Sequence, residues 1–401
     1  MTKRIAIIAS LDTKGEEAEF LRQEIQSSGY DAALVDIGMK GEPRVAADIS
    51  RKDIIEASGE DAAKVEGTGD REKVMNMVIK GAGTRLKELL ARSELEGVIG
   101  IGGITGTRMG TSIMKMLPFG LPKVAVSSTA SLQGFATRYI GAQDIALIHS
   151  VVEFGQNDML KNVLARGARA VCAMAEANKR YPIPRQGERN LVAMTTWGPS
   201  EKCGTCIREG LEAKGYQVVS FPSNGTGDRA MEDILERQGV FQAVIELAPG
   251  GIGEELLGFT RAAGPYRLEA AGKRGITQII TLSGVNYGSP LKKKYKPDYE
   301  TRKKYAYDGL RTFVRLSHDE LRLVAGEMAR KLNQAKGKIW VVIPLGGWSS
   351  IDAKGTDFCD KEADAIFVEE LKKRLNQTIG VKEIDVDLDT EDFGRAIIDL
   401  F

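Results

Sequence analysis

Short apolar runs recur along the chain, each followed by a polar or glycine-rich turn and then by a longer stretch with helical spacing. Strand-length runs alternating with helical segments favour a parallel sheet covered on both faces, because each crossover between parallel strands needs about a helix of chain. Residues 4–9 (RIAIIA) predict a first buried strand, Gly15 to Ser28 a helix stopped by Gly29, and Asp31 to Asp36 a second strand. Helical stretches near 70–92 and 106–117 then flank strands at 97–101 and 122–126, and 156–177 predicts a long closing helix. Residues 178–188 (NKRYPIPRQGE) carry two prolines, charges and no apolar period, and predict a linker with the domain boundary near Arg189.

The pattern then starts again. A strand is predicted at 190–195, a helix ending at Gly215 and a strand at 216–220; later come a helix near 317–335, a strand at 338–343, a helix near 360–375, a strand near 381–386 and a terminal helix. LRQEIQSSGYDAALVDIG in the first half is echoed by IREGLEAKGYQVVSFPSNG in the second, and EGVIGIGG by QAVIELAPGG. The expectation is an α/β protein of two similarly wound Rossmann-like domains, 1–180 and 189–401, with mainly parallel sheets and a ligand cleft between them. Residues 283–308 are polar, basic and tyrosine-bearing, and read as a long excursion or lid.

Composition narrows the function classes. Of 401 residues 42% are hydrophobic and 28% charged, the balance of a globular chain with a substantial core. A formal charge of +1 gives no global basic field for nucleic acid or anionic membrane, and the cluster from Lys292 to Lys304 reads as a solvated lid. Apolar runs are far shorter than the roughly 18 residues of a membrane span, and the start MTKRIAIIAS is too short in apolar residues for a signal peptide. Four cysteines are too few for a disulfide scaffold at this length. The expected compartment is the cytoplasm, with no nucleic-acid and no membrane partner.

Ligands of parallel α/β sheets bind beyond the carboxyl ends of the strands, so the loops after strands are the candidates. In the first half, Asp12, Thr13, Lys14 and Gly15 offer a carboxylate, a hydroxyl, a cation and backbone donors at a helix start. Gly102, Gly103, Thr105, Gly106 and Thr107 form a glycine-rich loop that matches neither the Walker A nor the G-x-G-x-x-G pattern, since no Lys-Ser or Lys-Thr follows and Thr105 occupies the last glycine's place. Ser128 and Thr129 add hydroxyls after the next strand. The bland readings are helix capping by Asp12 or Thr13, a plain tight turn for the glycine loop, and capping for one of the hydroxyls after the next strand.

In the second half, Gly225, Thr226 and Gly227 offer backbone donors, Arg229 a partner for a carboxylate or phosphate, and Glu232 a base or a capping acid. Glu254 stands at a further helix start, where capping is an equally good reading. Cys203 and Cys206 form a CxxC with no second pair, and His149 and His318 lack ligand spacing, so neither a metal centre nor redox chemistry is expected.

Taken in order, Leu11-Asp12-Thr13-Lys14-Gly15-Glu16, Val35-Asp36-Ile37-Gly38, the loops at 102–107 and 127–131, Gly225-Thr226-Gly227 with Arg229-Ala230-Met231-Glu232, and Leu345-Gly346-Gly347 with Ser349 and Asp352 resemble one family nearly end to end. It is the family of the ATP-binding region of the tomato mosaic virus resistance protein and its microbial relatives. The resemblance implies a two-domain α/β protein that binds ATP and whose reaction is unsettled; the antiviral role of the plant member is not carried over. Magnesium is the expected companion ion, and size and family type suggest a homodimer. On this reading Lys14 and the glycine N–H groups neutralise phosphate and Asp12 orients a magnesium shell or a ribose. Arg229 and Glu232 would face a small carboxylate-bearing metabolite in phosphoryl or adenylyl transfer. The alternative is a non-catalytic two-domain binder of a small anionic metabolite.

Overall fold

Arg4–Ala9 forms strand β1 in the computed structural model, which describes residues 4–61, 69–153, 155, 157–184 and 187–401. Arg185 and Gln186 of the expected linker lie outside the described residues. The chain divides into two compact units, residues 1–183 and 184–401.

The first unit holds a five-stranded parallel sheet in the order β2-β1-β3-β4-β5, with β2 at Asp31–Asp36, β3 at Leu95–Gly102, β4 at Lys123–Ser127 and β5 at Ala146–His149. Along β1 the side chains alternate between two cores. Ile5, Ile7 and Ala9 meet helices α1 (Leu11–Ser27) and the long closing helix Asp158–Arg180, while Ala6 and Ile8 face Arg71–Ala91 and Ile104–Met114. Both faces are covered, which is why the strand reads as an unbroken apolar run.

The second unit repeats this winding. Its six-stranded parallel sheet runs β14-β13-β9-β8-β6-β7, where β6 is Leu191–Thr196, β7 Gln217–Pro222, β8 Phe241–Glu246, β9 Thr277–Ile280, β13 Ile339–Pro344 and β14 Gly380–Ile384. Counted from β6, its order is that of the first sheet plus one edge strand. The repeat of sequence segments therefore corresponds to a repeat of topology.

The structure differs from expectation at several places, among them the following three. The first helix begins at Leu11, four residues early, because the Asp36 carboxylate accepts the Leu11 N–H at 3.0 Å; a break in helical geometry at Lys14 (φ −123°) marks where the expected start lay. Arg51–Ala57, a short helix with a Ser50–Asp53 capping box, lies in a stretch where the apolar pattern is too brief to announce it. Residues 283–308 are more than a solvated excursion: β10 (Tyr287–Gly288), β11 (Lys304–Ala306) and β12 (Thr312–Arg315) form a small antiparallel sheet, with Tyr287, Tyr299 and Phe313 buried and Lys292, Lys293 and Lys294 exposed. Among the described residues no helix is long and apolar enough to cross a membrane.

Candidate functional site

The chain leaves β1 toward β2 on one side and leaves β3 toward β4 on the other, so the carboxyl ends of β1 and β3 bound the crevice where such sheets bind ligands. Two features fix its walls. Asp36, at the end of β2, accepts the N–H groups of Leu11 (3.0 Å) and Gly38 (2.9 Å) through one oxygen, tying the start of α1 to the loop after β2. On the β3 side, a Cβ on Gly102 would lie 2.7 Å from Gly106 Cα, so a glycine is needed for the strand end to approach the following helix this closely.

That helix, Ile104–Met114, has Gly103 as its N-cap, and a glycine brings no side chain to cap the first-turn N–H groups. Thr107 turns inward instead, bridging the Gly102 carbonyl (3.0 Å) and the Ser127 hydroxyl (2.7 Å); Ser127 accepts the Thr129 N–H, and the Thr129 hydroxyl lies 2.9 Å from that of Tyr139. This hydroxyl chain holds the loops after β3 and β4 in register.

Between these walls lies a cavity of about 1080 Å³, ample for a nucleotide-sized ligand. Asp12, Thr13, Lys14, Gly102, Gly103, Thr105, Gly106 and Thr129 all line it. Three of the expected residues do not. Gly15 is buried beneath Arg44, Thr107 serves the hydroxyl chain, and Ser128 lines a small adjoining void with its hydroxyl buried and without a hydrogen-bond partner among the described residues.

Lys14 lines the cavity but is engaged elsewhere. Its ammonium donates to the backbone carbonyl of Glu153 and lies 3.5 Å from the Glu17 carboxylate, so it is held at the wall by protein oxygens. The sequence reading missed Lys40, Glu42, Arg51, Arg71 and Glu153, which also line the cavity. Arg51 donates to the Gly41 carbonyl at 3.1 Å and Arg71 to the Thr105 hydroxyl at 3.3 Å. The loop after β2, Gly38-Met39-Lys40-Gly41, sits on the same sheet edge as the other loops, and that position is the signal that would have found it.

The residues expected to bind a substrate in the second half are mostly committed to its interior. Asn224 accepts the N–H groups of Thr226 (3.1 Å) and Gly227 (2.9 Å), and Asp228 that of Gly225 (2.8 Å), so the start of helix Thr226–Arg237 is capped from within. Glu232 accepts from Leu268 N–H (2.6 Å), Ala270 N–H (2.9 Å) and the buried guanidinium of Arg267 (3.2 Å); burial pushes its carboxyl up and Arg267 opposes the shift. Glu254 is 1% exposed and satisfied by Arg261 and Ser289. Both acids are engaged by partners within the C-terminal domain. Arg229 is exposed, bonded to the Ala262 carbonyl at 2.8 Å.

The CxxC pair lies on helix Glu201–Ala213. Cys203 is fully buried and burial pushes its thiol far up; Cys206 is shifted the same way and packs near Gly394. Neither carries the depressed pKa of a reactive thiolate. No group of three or more His, Cys, Asp or Glu suited to a metal ion is found among the described residues.

Two family models cover the chain: "Uncharacterised protein family (UPF0261) N-terminal domain" matches residues 3–180, and its C-terminal domain matches 189–401. A UPF0261 protein of Clostridium tetani is 32% identical over 99% of this chain and 98% of its own length, and one of Mesorhizobium japonicum is 30% identical over 98% of both. The tomato protein named ToMV resistance protein Tm-1(GCR237) is 29% identical over 99% of this chain, which spans 55% of the tomato protein.

Proposed function

The chain belongs to the UPF0261 family, and from that premise we propose that its N-terminal domain binds ATP at the carboxyl edge of β1 and β3. The observation that carries this reading is the cavity of about 1080 Å³ into which the uncapped start of helix Ile104–Met114 opens beside Lys40, Arg51 and Arg71. Backbone donors at a helix start, close-packed glycines and nearby cations are the parts a polyphosphate needs. The residues fit the group: Gly102, Gly103 and Gly106 add no side chain of their own at the start of that helix, and the buried Ser128 hydroxyl has no hydrogen-bond partner among the described residues.

Magnesium would enter with the nucleotide, since such ions are commonly held by one or two carboxylates plus phosphate oxygens. Asp12 and Glu42 are two of the cavity's carboxylates that would join it. When bound, the ion supplies charge neutralisation on the phosphates. The protein's own contribution is positioning: Asp36 fixes the start of α1, and the Thr107–Ser127–Thr129 hydroxyls fix the opposite wall. Transfer of a phosphoryl or adenylyl group to a small carboxylate-bearing metabolite is the reaction this arrangement would serve.

A second reading, a non-catalytic binder of a small anionic metabolite, is favoured by one observation. Lys14, the cation nearest the loop start, is tied to Glu153 and Glu17. Calorimetric titration with ATP, with and without magnesium, separates the two. Saturable ATP binding, weakened about tenfold in Arg71→Ala and losing its magnesium dependence in Asp12→Asn, supports the nucleotide site. A folded protein that does not bind ATP in either condition leaves the anion binder.

A further inference from the structure

The nucleotide position in this structure is contested by the protein itself. Glu153 reaches back over the start of helix Ile104–Met114, where its carboxylate stands so close to Gly103 that a Cβ there would collide with it. The buried Ser128 hydroxyl, without a partner among the described residues, lies 3.8 Å from the same point. The backbone of Glu153 meanwhile holds the Lys14 ammonium through its carbonyl. One residue thus places a negative group at the helix start and withholds a positive one from the cavity.

The segment that delivers Glu153 is under strain. Val151 has φ +62° while 74% exposed. A β-branched residue in the left-handed region is an outlier that persists only when neighbouring contacts impose it. Here those contacts include the Ser150 N–H donated to the Ser127 carbonyl at 3.0 Å, the Ser150 hydroxyl donated to the Val152 carbonyl at 2.8 Å, and the hold of Lys14 on Glu153.

We propose that Glu153 is an internal stand-in for the phosphate group, and that a polyphosphate ligand binds by displacing its carboxylate and taking over the Lys14 ammonium. The inference rests on the nucleotide reading above and deepens it. It names the residue that sets the affinity of the site and the event, exchange of one anion for another, that accompanies binding. Lys14 is then a residue that changes partner: Glu153 in the form described, the ligand in the bound form.

The test uses the full chain and two probes, magnesium-ATP and inorganic triphosphate, titrated calorimetrically into the wild type and Glu153→Gln. The glutamine keeps the size and removes the charge; its fold is checked by thermal melting. A carboxylate at a helix start is worth up to about 2 kcal/mol, so removing its competition predicts roughly a 5- to 30-fold gain in affinity. The same gain is expected for both probes, because the contest is over phosphate and not over the base. Binding by the variant with none by the wild type supports the proposal in its strongest form. Wild-type binding that is unchanged or weakened in Glu153→Gln overturns it and leaves the nucleotide site standing. Absence of binding by both folded proteins overturns both.

Discussion

Inside the C-terminal domain, the guanidinium of Arg267 pairs through both terminal nitrogens with the carboxylate of Glu246 at the end of β8. Asp228 (3.1 Å) and Glu232 (3.2 Å) complete the cluster, so one buried cation serves three acids. Removing the cation would leave those acids buried without a counter-charge, a situation that typically costs about 3–5 kcal/mol. Arg267→Met is expected to lose stability on that scale in urea unfolding, and Arg267→Lys to recover only part of it, because an ammonium cannot pair through two parallel N–H groups.

Asp364 gives the domain a pH dependence with a definite sign. It is buried beside Asn286 and Arg315; burial pushes its pKa from 3.8 up to about 6, with Arg315 lowering it in part and Asp352 raising it. The folded state therefore holds this proton more tightly than the unfolded chain, and the contribution of Asp364 to stability falls as pH rises from about 4 to about 6. The loss is on the order of 3 kcal/mol. Asp364→Asn should flatten that part of the stability profile measured by denaturant titration across pH 4–7.

Cys203 should be silent toward alkylating reagents. Its thiol is fully buried and held in the protonated form by desolvation, with Asp389 reinforcing the shift. At pH 8, mass spectrometry after brief iodoacetamide exposure should find Cys203 unmodified in the folded protein and modified after denaturation. A Cys203→Ser, Cys206→Ser double variant is expected to bind ATP as the wild type does.

Lys14 and Glu17 are both buried and lie 3.5 Å apart. Lys14→Met leaves the Glu17 carboxylate buried beside an apolar side chain, and a loss of about 1–3 kcal/mol is expected. Adding Glu17→Gln should return part of that loss, because the glutamine needs no counter-ion. A double-mutant cycle by thermal or urea unfolding measures the coupling; strictly additive losses would show that the pair does not interact.

The sheet was legible because both its faces are covered. RIAIIA, GVIGI and KIWVVI are unbroken apolar runs, and the strands they predict appear within a few residues of their expected bounds. The first-half loops were legible as chemistry because glycines and hydroxyls cluster directly after such runs. What escaped was pairing at a distance. Nothing local announces that Glu232 meets Arg267, 35 residues on, or that Lys14 meets Glu153, 139 residues on. A charged residue after a strand reads the same whether it faces a ligand or a buried partner, and only the fold tells Arg71 at the cavity from Glu254 in the interior.

The repeated winding has a thermodynamic side. The two cores on the faces of the first sheet are built from residues no later than Cys172, and those of the second from residues no earlier than Leu191. Each sheet closes its own hydrogen-bonded order and buries its own apolar faces, as a folding unit does. A melting curve of the whole chain is expected to resolve two transitions; one cooperative transition would show that the two halves unfold together. Substitutions at Arg267 or Asp364 should move one transition, and substitutions at Lys14 the other.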